Sequence, residues 1–408
     1  MVMRKESGGD VNRKCLNLHN AVNITNAFLK AVEEDDDWRL IDPKTKEAVK
    51  IIKARELWSK LLDARAETGE PYIVNLDNCN NALPQGQKNL GLEIKQSNLC
   101  SEITLPTNDE RTAVCCLSSV NLEHFDDWSE DKQFIADLVT MLDNVLEHFI
   151  ENAIDINNFG GYNANYERFK KHIEEGKEGF TKAAYSAYRE RSIGLGAMGF
   201  HSYLQAHNIP FEGIYATGFN HKAFKHIKNS AIKASKEIAK DRGEAPDISG
   251  SALRNAHLLA VAPNASSSII CGGTSPSIEP IRANVFTHKT LSGSYKVKNK
   301  NLEKLINKKV DDANKRKKLW QQISDDRGSI QNIKIFTDEE KELFKTADEI
   351  NQIWVVEHAY KRQEFICQSQ SVNLFFVLPD SSKDQEQHDE YLQYVSDVHW
   401  YGANKLKS

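Results

Sequence analysis

Residues 96–103 read Gln-Ser-Asn-Leu-Cys-Ser-Glu-Ile, and three of them could do chemistry together: Asn98, Cys100 and Glu102. On an extended chain, residues two apart point to the same side. An amide, a thiol and a carboxylate would then face one pocket and supply a hydrogen-bonding group, a sulfur and a base. A strand with a buried cysteine and two exposed polar neighbours fits the same spacing. A second stretch, Thr112–Leu117, reads as a short apolar strand carrying the adjacent Cys115 and Cys116. Neighbours on a strand face opposite ways, so only one of the two can share a pocket with Cys100, and a vicinal disulfide would be strained. A third stretch runs from Ala262 through Pro263, Asn264, Ala265, Ser266, Ser267 and Ser268, and continues as Cys271-Gly-Gly-Thr-Ser-Pro276. Small residues and clustered hydroxyls let main-chain N–H groups and Ser Oγ atoms approach an anion. An ordinary serine-rich turn is the competing reading.

Chemistry of this kind needs a scaffold. Residues 46–68 read as an amphipathic helix with Val49, Ile52, Leu57, Leu61 and Leu62 near one face and Gly69 as its stop. Tyr72–Val74 reads as a strand. A short helix is expected over Asn23–Val32, ending in the acidic run Glu33–Asp37, whose spacing suits a solvated turn better than an ion. Further helices are expected over 131–152, 221–242, 340–366 and 386–406. The stretches 75–130 and 258–290 lack helix signals, and long non-helical segments in compact domains are often functional. Alternating apolar runs, helices and loops point to an α/β class.

The 408 residues, 40% hydrophobic and 27% charged with net charge −5, suit a soluble globular chain and do not point to nucleic acid or a membrane. No apolar run approaches the roughly 20 residues of a membrane span, and Met1–Asp10 lack a signal-peptide core, so the cytoplasm is expected. Seven cysteines, odd in number and without a CxxC, argue against a disulfide framework or a zinc knuckle.

Two motifs mislead. Gly194-Leu-Gly-Ala-Met-Gly199 fits a dinucleotide-binding GxGxxG, but the polar residues Tyr185–Arg191 deny it the buried strand it needs; close helix packing explains the glycines as well. The lysine-rich segment Lys296–Lys318 is interrupted by Glu303, Asp311 and Asp312 and reads as a solvated helical face. No GxxxxGK[ST] loop is present.

The stretch Ser97–Ile103 strongly resembles the active-site finger loop of ribonucleotide reductase large subunits. Other segments resemble that family's motifs in the same order: Arg13–Leu18, Thr68–Tyr72, Ala113–Cys115, Arg191–Gly196, Ala262–Ser268 and Thr274–Pro280. The resemblance covers nearly the whole chain. It implies an α/β fold, the C-terminal half of the ten-stranded ribonucleotide reductase α/β barrel. Residues 1–408 would be a partial barrel domain, with a central finger loop at about 95–106 and a phosphate loop at about 262–280.

The implied reaction is radical-based reduction of a ribonucleoside diphosphate to its deoxy form, for DNA synthesis. Carried over by position, Cys100 is the transient thiyl radical, Glu102 the base on the 3′ hydroxyl, and Asn98 the residue that orients them. Cys115 is one of two reducing thiols. Ser97, Asn98 and Glu102 contact the sugar side of the substrate, and Asn264, Ala265, Ser266 and Ser267 its phosphates. The family often has an acidic residue where Ala265 stands, so contact there would be through the main chain. No cofactor or metal is expected on this chain itself. The radical would come from a metal-containing small (beta) subunit, electrons from thioredoxin or glutaredoxin, and the complete subunit would form a homo-oligomer with no membrane partner. The resemblance also implies that an upstream portion, with the second redox cysteine, and a downstream tail lie outside this sequence. His399–Ser408 resembles the helix leading into the family's paired tyrosines. A split subunit or a fragment is therefore expected, inactive when alone. The alternatives are the cobalamin-dependent class of the same superfamily and a non-catalytic nucleotide-binding derivative of the fold.

Overall fold

The computed structural model describes residues 18–153, 180–291, 293–379 and 382–408. The Arg13–Leu18 motif lies outside them except for Leu18. Strand β1 (Ala21–Ile24) pairs in parallel with β4 (Tyr72–Asn75), Ala21 opposite Tyr72. Between them come α1 (Asn26–Glu34), an antiparallel hairpin of β2 (Asp37–Ile41) and β3 (Ala48–Lys53), and α2 (Ala54–Thr68). The helix expected from residue 46 therefore begins eight residues late. Its first part, Ala-Val-Lys-Ile-Ile-Lys, has the β-branched residues that favour a strand, and Val49 and Ile51 are exposed rather than on a buried helix face. The expected stop is where the glycine puts it: Gly69 is left-handed, φ 74°, and its N–H closes on Arg65. Thr25 caps α1 through its side chain, so residues 21–24 stay extended. The acidic run is solvated, with Asp35 as a left-handed C-cap.

The second parallel pair is β5 (Leu117–Asn121) with β6 (Gly194–Met198). β6 is the glycine motif itself, buried at every position, and its glycines serve strand packing, not the expected helix packing. A Cβ on Gly194 would lie 2.3 Å from Leu117 Cδ2, and one on Gly196 would lie 2.6 Å from the Ala260 carbonyl. Main-chain bonds then extend the layer. Leu195 N–H donates to Leu258, Gln368 N–H to Leu259, and Val261 and Ser369 are joined at 3.1 Å. The extended segments 257–261 and 368–371 thus lie beside β6, and the bridge Val261–Gln370 is again parallel.

Helices cover the outside: α3 (Phe134–Ala153), α4 (Phe180–Glu190), α5 (Phe200–Ala206), α6 (Ile214–Arg242), α7 (Lys300–Lys309), α8 (Ala313–Asp325), α9 (Gln352–Gln363) and α10 (Gln385–Lys405). The main core packs Leu142, Leu146, Phe200, Phe224, Ile227 and Leu195 between this layer and its helices. The helix expected over 340–366 is broken in two, because Asn351 caps a new start at Gln352 and a separate turn ends at Leu343. The region 258–290 holds one helical turn, Ser267–Ile270, and the first strand of the hairpin β7 (Val285–Thr290)–β8 (Gly293–Lys298). Lys296–Lys298 belong to β8, so the lysine-rich segment is only partly helical. Two buried ionic clusters fix the frame: Asp143 with Arg254 and Arg242, and Asp247 with Arg111 and Arg189.

Candidate active site

Asn98, Cys100 and Glu102 do come together, but not by strand alternation. The finger turns at its tip: Ser101 N–H donates to the Asn98 carbonyl at 3.1 Å, and Ser101 takes φ 67°. A non-glycine residue in this region costs about 1–2 kcal/mol and persists only where its surroundings hold it. The Asn98 carboxamide spans the turn. Its oxygen accepts from Ile103 N–H at 3.1 Å, and the side chain lies close enough to the Glu102 carboxyl to favour its charged form. Glu102 is buried together with Ile103, Thr104 and Leu105 that follow it, while its carbonyl accepts from Ser369 N–H at 3.0 Å.

The electrostatics follow from burial. The Glu102 carboxyl, 2% exposed, is pushed above its ordinary pKa by desolvation, against its main-chain N–H and then the Asn98 side chain, which both lower it. One carboxyl oxygen, Oε2, has no protein partner. The Cys100 thiol is raised by burial and then by the charge of Glu102. Cys115 is pushed up to about 11 by its surroundings, then by Glu102 and by Cys100. Cys115 therefore lies within electrostatic reach of both, with an open face to solvent. Cys116 is buried and its sulfur faces the Leu142 carbonyl at 3.6 Å, so the two cysteines diverge as expected. They do so on an irregular segment; the strand expected over 112–117 begins only at Leu117.

The Ala262–Pro280 stretch meets the ends of β5 and β6. Asn264, left-handed at φ 54°, places its side-chain nitrogen 3.0 Å from Ser119 Oγ, 3.3 Å from the Ala197 carbonyl and 3.0 Å from the Ala262 carbonyl. Its amide is thus occupied in anchoring the loop. Ala265, Ser266 and Ser267 are exposed, while Ser268 is buried with its hydroxyl on the Ala265 carbonyl. Ser97 is part-buried and its hydroxyl turns to the Asn98 carbonyl at 3.3 Å. Pro263 and Cys100 line one cavity of about 270 Å³, shared with Arg65, Ser371, His399 and Ser408. Asn98, Glu102 and the exposed serines are not part of that lining.

Some polar neighbours carried no local signal. Glu279 is buried and raised to about 7 by desolvation, with Asn373 Nδ2 on its carboxyl at 2.5 Å. Ser369 and Ser408 reach the finger from far along the chain, and Lys407 anchors the segment they stand on. Sequence spacing cannot reveal partners hundreds of residues apart. Among the described residues no group of His, Cys, Asp and Glu is arranged to hold a metal, and no helix is long and apolar enough to cross a membrane.

The family described as "Ribonucleotide reductase, barrel domain" matches residues 1–253 and 246–406. The ribonucleoside-diphosphate reductase large subunit of Invertebrate iridescent virus 3 is 40% identical, covering 96% of this chain and 66% of its own length. The putative large subunit of Frog virus 3 is 44% identical over 91% of this chain and 61% of its own length. Among solved structures, the class Id ribonucleotide reductase alpha subunit of Actinobacillus ureae superposes with TM-score 0.71 at 34% identity, over 93% of this chain and 63% of that one. The chain spans less than two thirds of the length of these relatives.

Proposed function

The chain belongs to the ribonucleotide reductase barrel-domain family, and on that premise we propose that it is the C-terminal catalytic portion of a ribonucleoside-diphosphate reductase large subunit. In this reading Cys100 gives up its hydrogen atom to an oxidant generated on a separate metal-containing small subunit. The resulting thiyl takes the 3′ hydrogen of the ribose, reforming the S–H bond and leaving a carbon radical. Glu102 accepts the 3′ hydroxyl proton through its unpartnered Oε2, and Asn98 fixes the carboxyl that does so. As water leaves the 2′ carbon, Cys115 and a thiol outside this sequence supply two electrons and two protons and close a disulfide, later reopened by thioredoxin or glutaredoxin; Cys100 then returns its hydrogen to the 3′ carbon, and the thiyl so regenerated recovers a hydrogen atom through the small subunit. Ala265, Ser266 and Ser267 hold the substrate phosphates at the exposed turn. Asn264, whose side-chain amide anchors that turn, contacts the phosphates through its main-chain N–H. Ser97 borders the sugar. The likeness to a class Id alpha subunit favours a separate small subunit over cobalamin chemistry. We place the complete enzyme in the cytoplasm as a homo-oligomer.

The observation that carries this reading is the turn that brings Asn98 beside Glu102 with Cys100 between them. Burial supports it further. A thiol raised above its usual pKa stays protonated at neutral pH, which suits hydrogen-atom transfer and disfavours thiolate chemistry. A carboxyl raised toward neutrality is a stronger base. The test is Cys100→Ser in the enzyme complemented with the missing portion and a small subunit. Reduction should vanish while nucleotide binding remains, and surviving reduction would overturn the assignment.

A further inference from the structure

The finger tip is held by a device that the chemistry above does not name. Ser408 Oγ lies 2.6 Å from Ser369 Oγ, 2.9 Å from the Ser101 carbonyl and 3.0 Å from the Gln370 carbonyl. A hydroxyl has one hydrogen to give and two lone pairs to accept with. Ser369 therefore donates to Ser408, and Ser408 donates to one or other of the two carbonyls. The result ties the residue after Cys100 to the segment 368–371, whose Ser369 N–H already holds the Glu102 carbonyl.

Ser408 is itself fixed from below. The Lys407 ammonium, 4% exposed, donates to the carbonyls of Ile366, Cys367 and Gln368 at 2.9, 3.1 and 2.6 Å. The Lys407 carbonyl accepts from Asn75 N–H at the end of β4. Segments 72–75, 366–371 and 407–408 are thereby stapled together beneath the tip. Ser101 sits at φ 67° on top of them, a conformation that needs such outside support.

We propose that Ser408, with Ser369, is a positioning latch: its hydroxyl holds the Ser101 carbonyl and so sets where the Cys100 sulfur stands relative to Glu102. Lys407 anchors the latch. Its consequence for turnover rests on the radical-site reading of Cys100, but the geometry can be tested without it.

The test is the rate at which iodoacetamide labels each cysteine of the full chain, read by mass spectrometry for wild type, Ser408→Ala, Ser369→Ala and Ser408→Thr. Loss of one hydrogen bond at the tip should speed labelling of Cys100 about fivefold. The exposed Cys271 and the buried Cys79 should stay unchanged, and the threonine variant should label as wild type does. Unchanged Cys100 labelling in both alanine variants overturns the proposal, as does an equal rise at Cys79, which would mean general loosening. If Ser408→Ala does not fold, Ser369→Ala decides by the same criteria. In the complemented enzyme the alanine variants should lose kcat about fivefold with KM unchanged and threonine restoring it. If the complemented wild type reduces no nucleotide, the functional reading fails while the labelling still judges the latch.

Discussion

Replacing Asn98 by alanine removes two things at once. Ile103 N–H, in a buried stretch, loses its acceptor at 3.1 Å. The Glu102 carboxyl loses the one side-chain donor that favours its charged form. A hydrogen bond to a charged group contributes about 1.5–3 kcal/mol, so the change should cost about ten- to a hundredfold in kcat/KM near neutral pH. The direction with pH is fixed by the same geometry. Burial already raises Glu102, and without Asn98 only its main-chain hydrogen bond opposes it, so the carboxyl rises further. The acid limb of the rate profile should therefore move to higher pH, and part of the lost activity should return as pH increases. The assay is reduction of nucleotide by the complemented enzyme across pH, compared with Asn98→Asp as an isosteric control. An acid limb that stays in place, with the rate lost evenly at every pH, would refute the reasoning.

Two further outcomes concern stability. Glu279 is raised from its ordinary value of 4.5 to about 7 by burial. The folded state then holds a proton that the unfolded state releases, so this group's contribution is full below about 4.5 and is lost as pH rises through 7. Thermal unfolding of Glu279→Gln should show a flatter dependence between those limits than wild type. Gly196→Ala should destabilise by about 1–3 kcal/mol, read from denaturant unfolding, because its Cβ would press on the Ala260 carbonyl at 2.6 Å.

Much of the site was legible because it is local. Asn98, Cys100 and Glu102 stand within five residues, and their types announce an amide, a thiol and a base wherever the chain bends. The divergence of Cys115 and Cys116 was also legible, since neighbouring side chains cannot share a side on an extended chain. The strand at Ala48–Lys53 was not. Its Val49 and Ile52 sit three apart, which is also a helix spacing, and only the pairing with β2 settles the matter. The anchoring of the phosphate loop was not legible either, because the Asn264 side-chain amide is engaged by Ser119 and Ala197, which lie far back along the chain.

The sequence by itself determined the reactive groups, the glycines that let β6 approach its neighbours, and the family those motifs belong to. Tertiary structure decided how the groups meet. Local propensity would leave Ser101 extended, with the three side chains in a row. Hydrogen bonds from Ser369 and Ser408, some 270 and 307 residues away, help hold it left-handed and fold Asn98 onto Glu102. A conformation that costs free energy locally survives only when distant segments supply the bonds that hold it, and no window of sequence around Cys100 contains those segments.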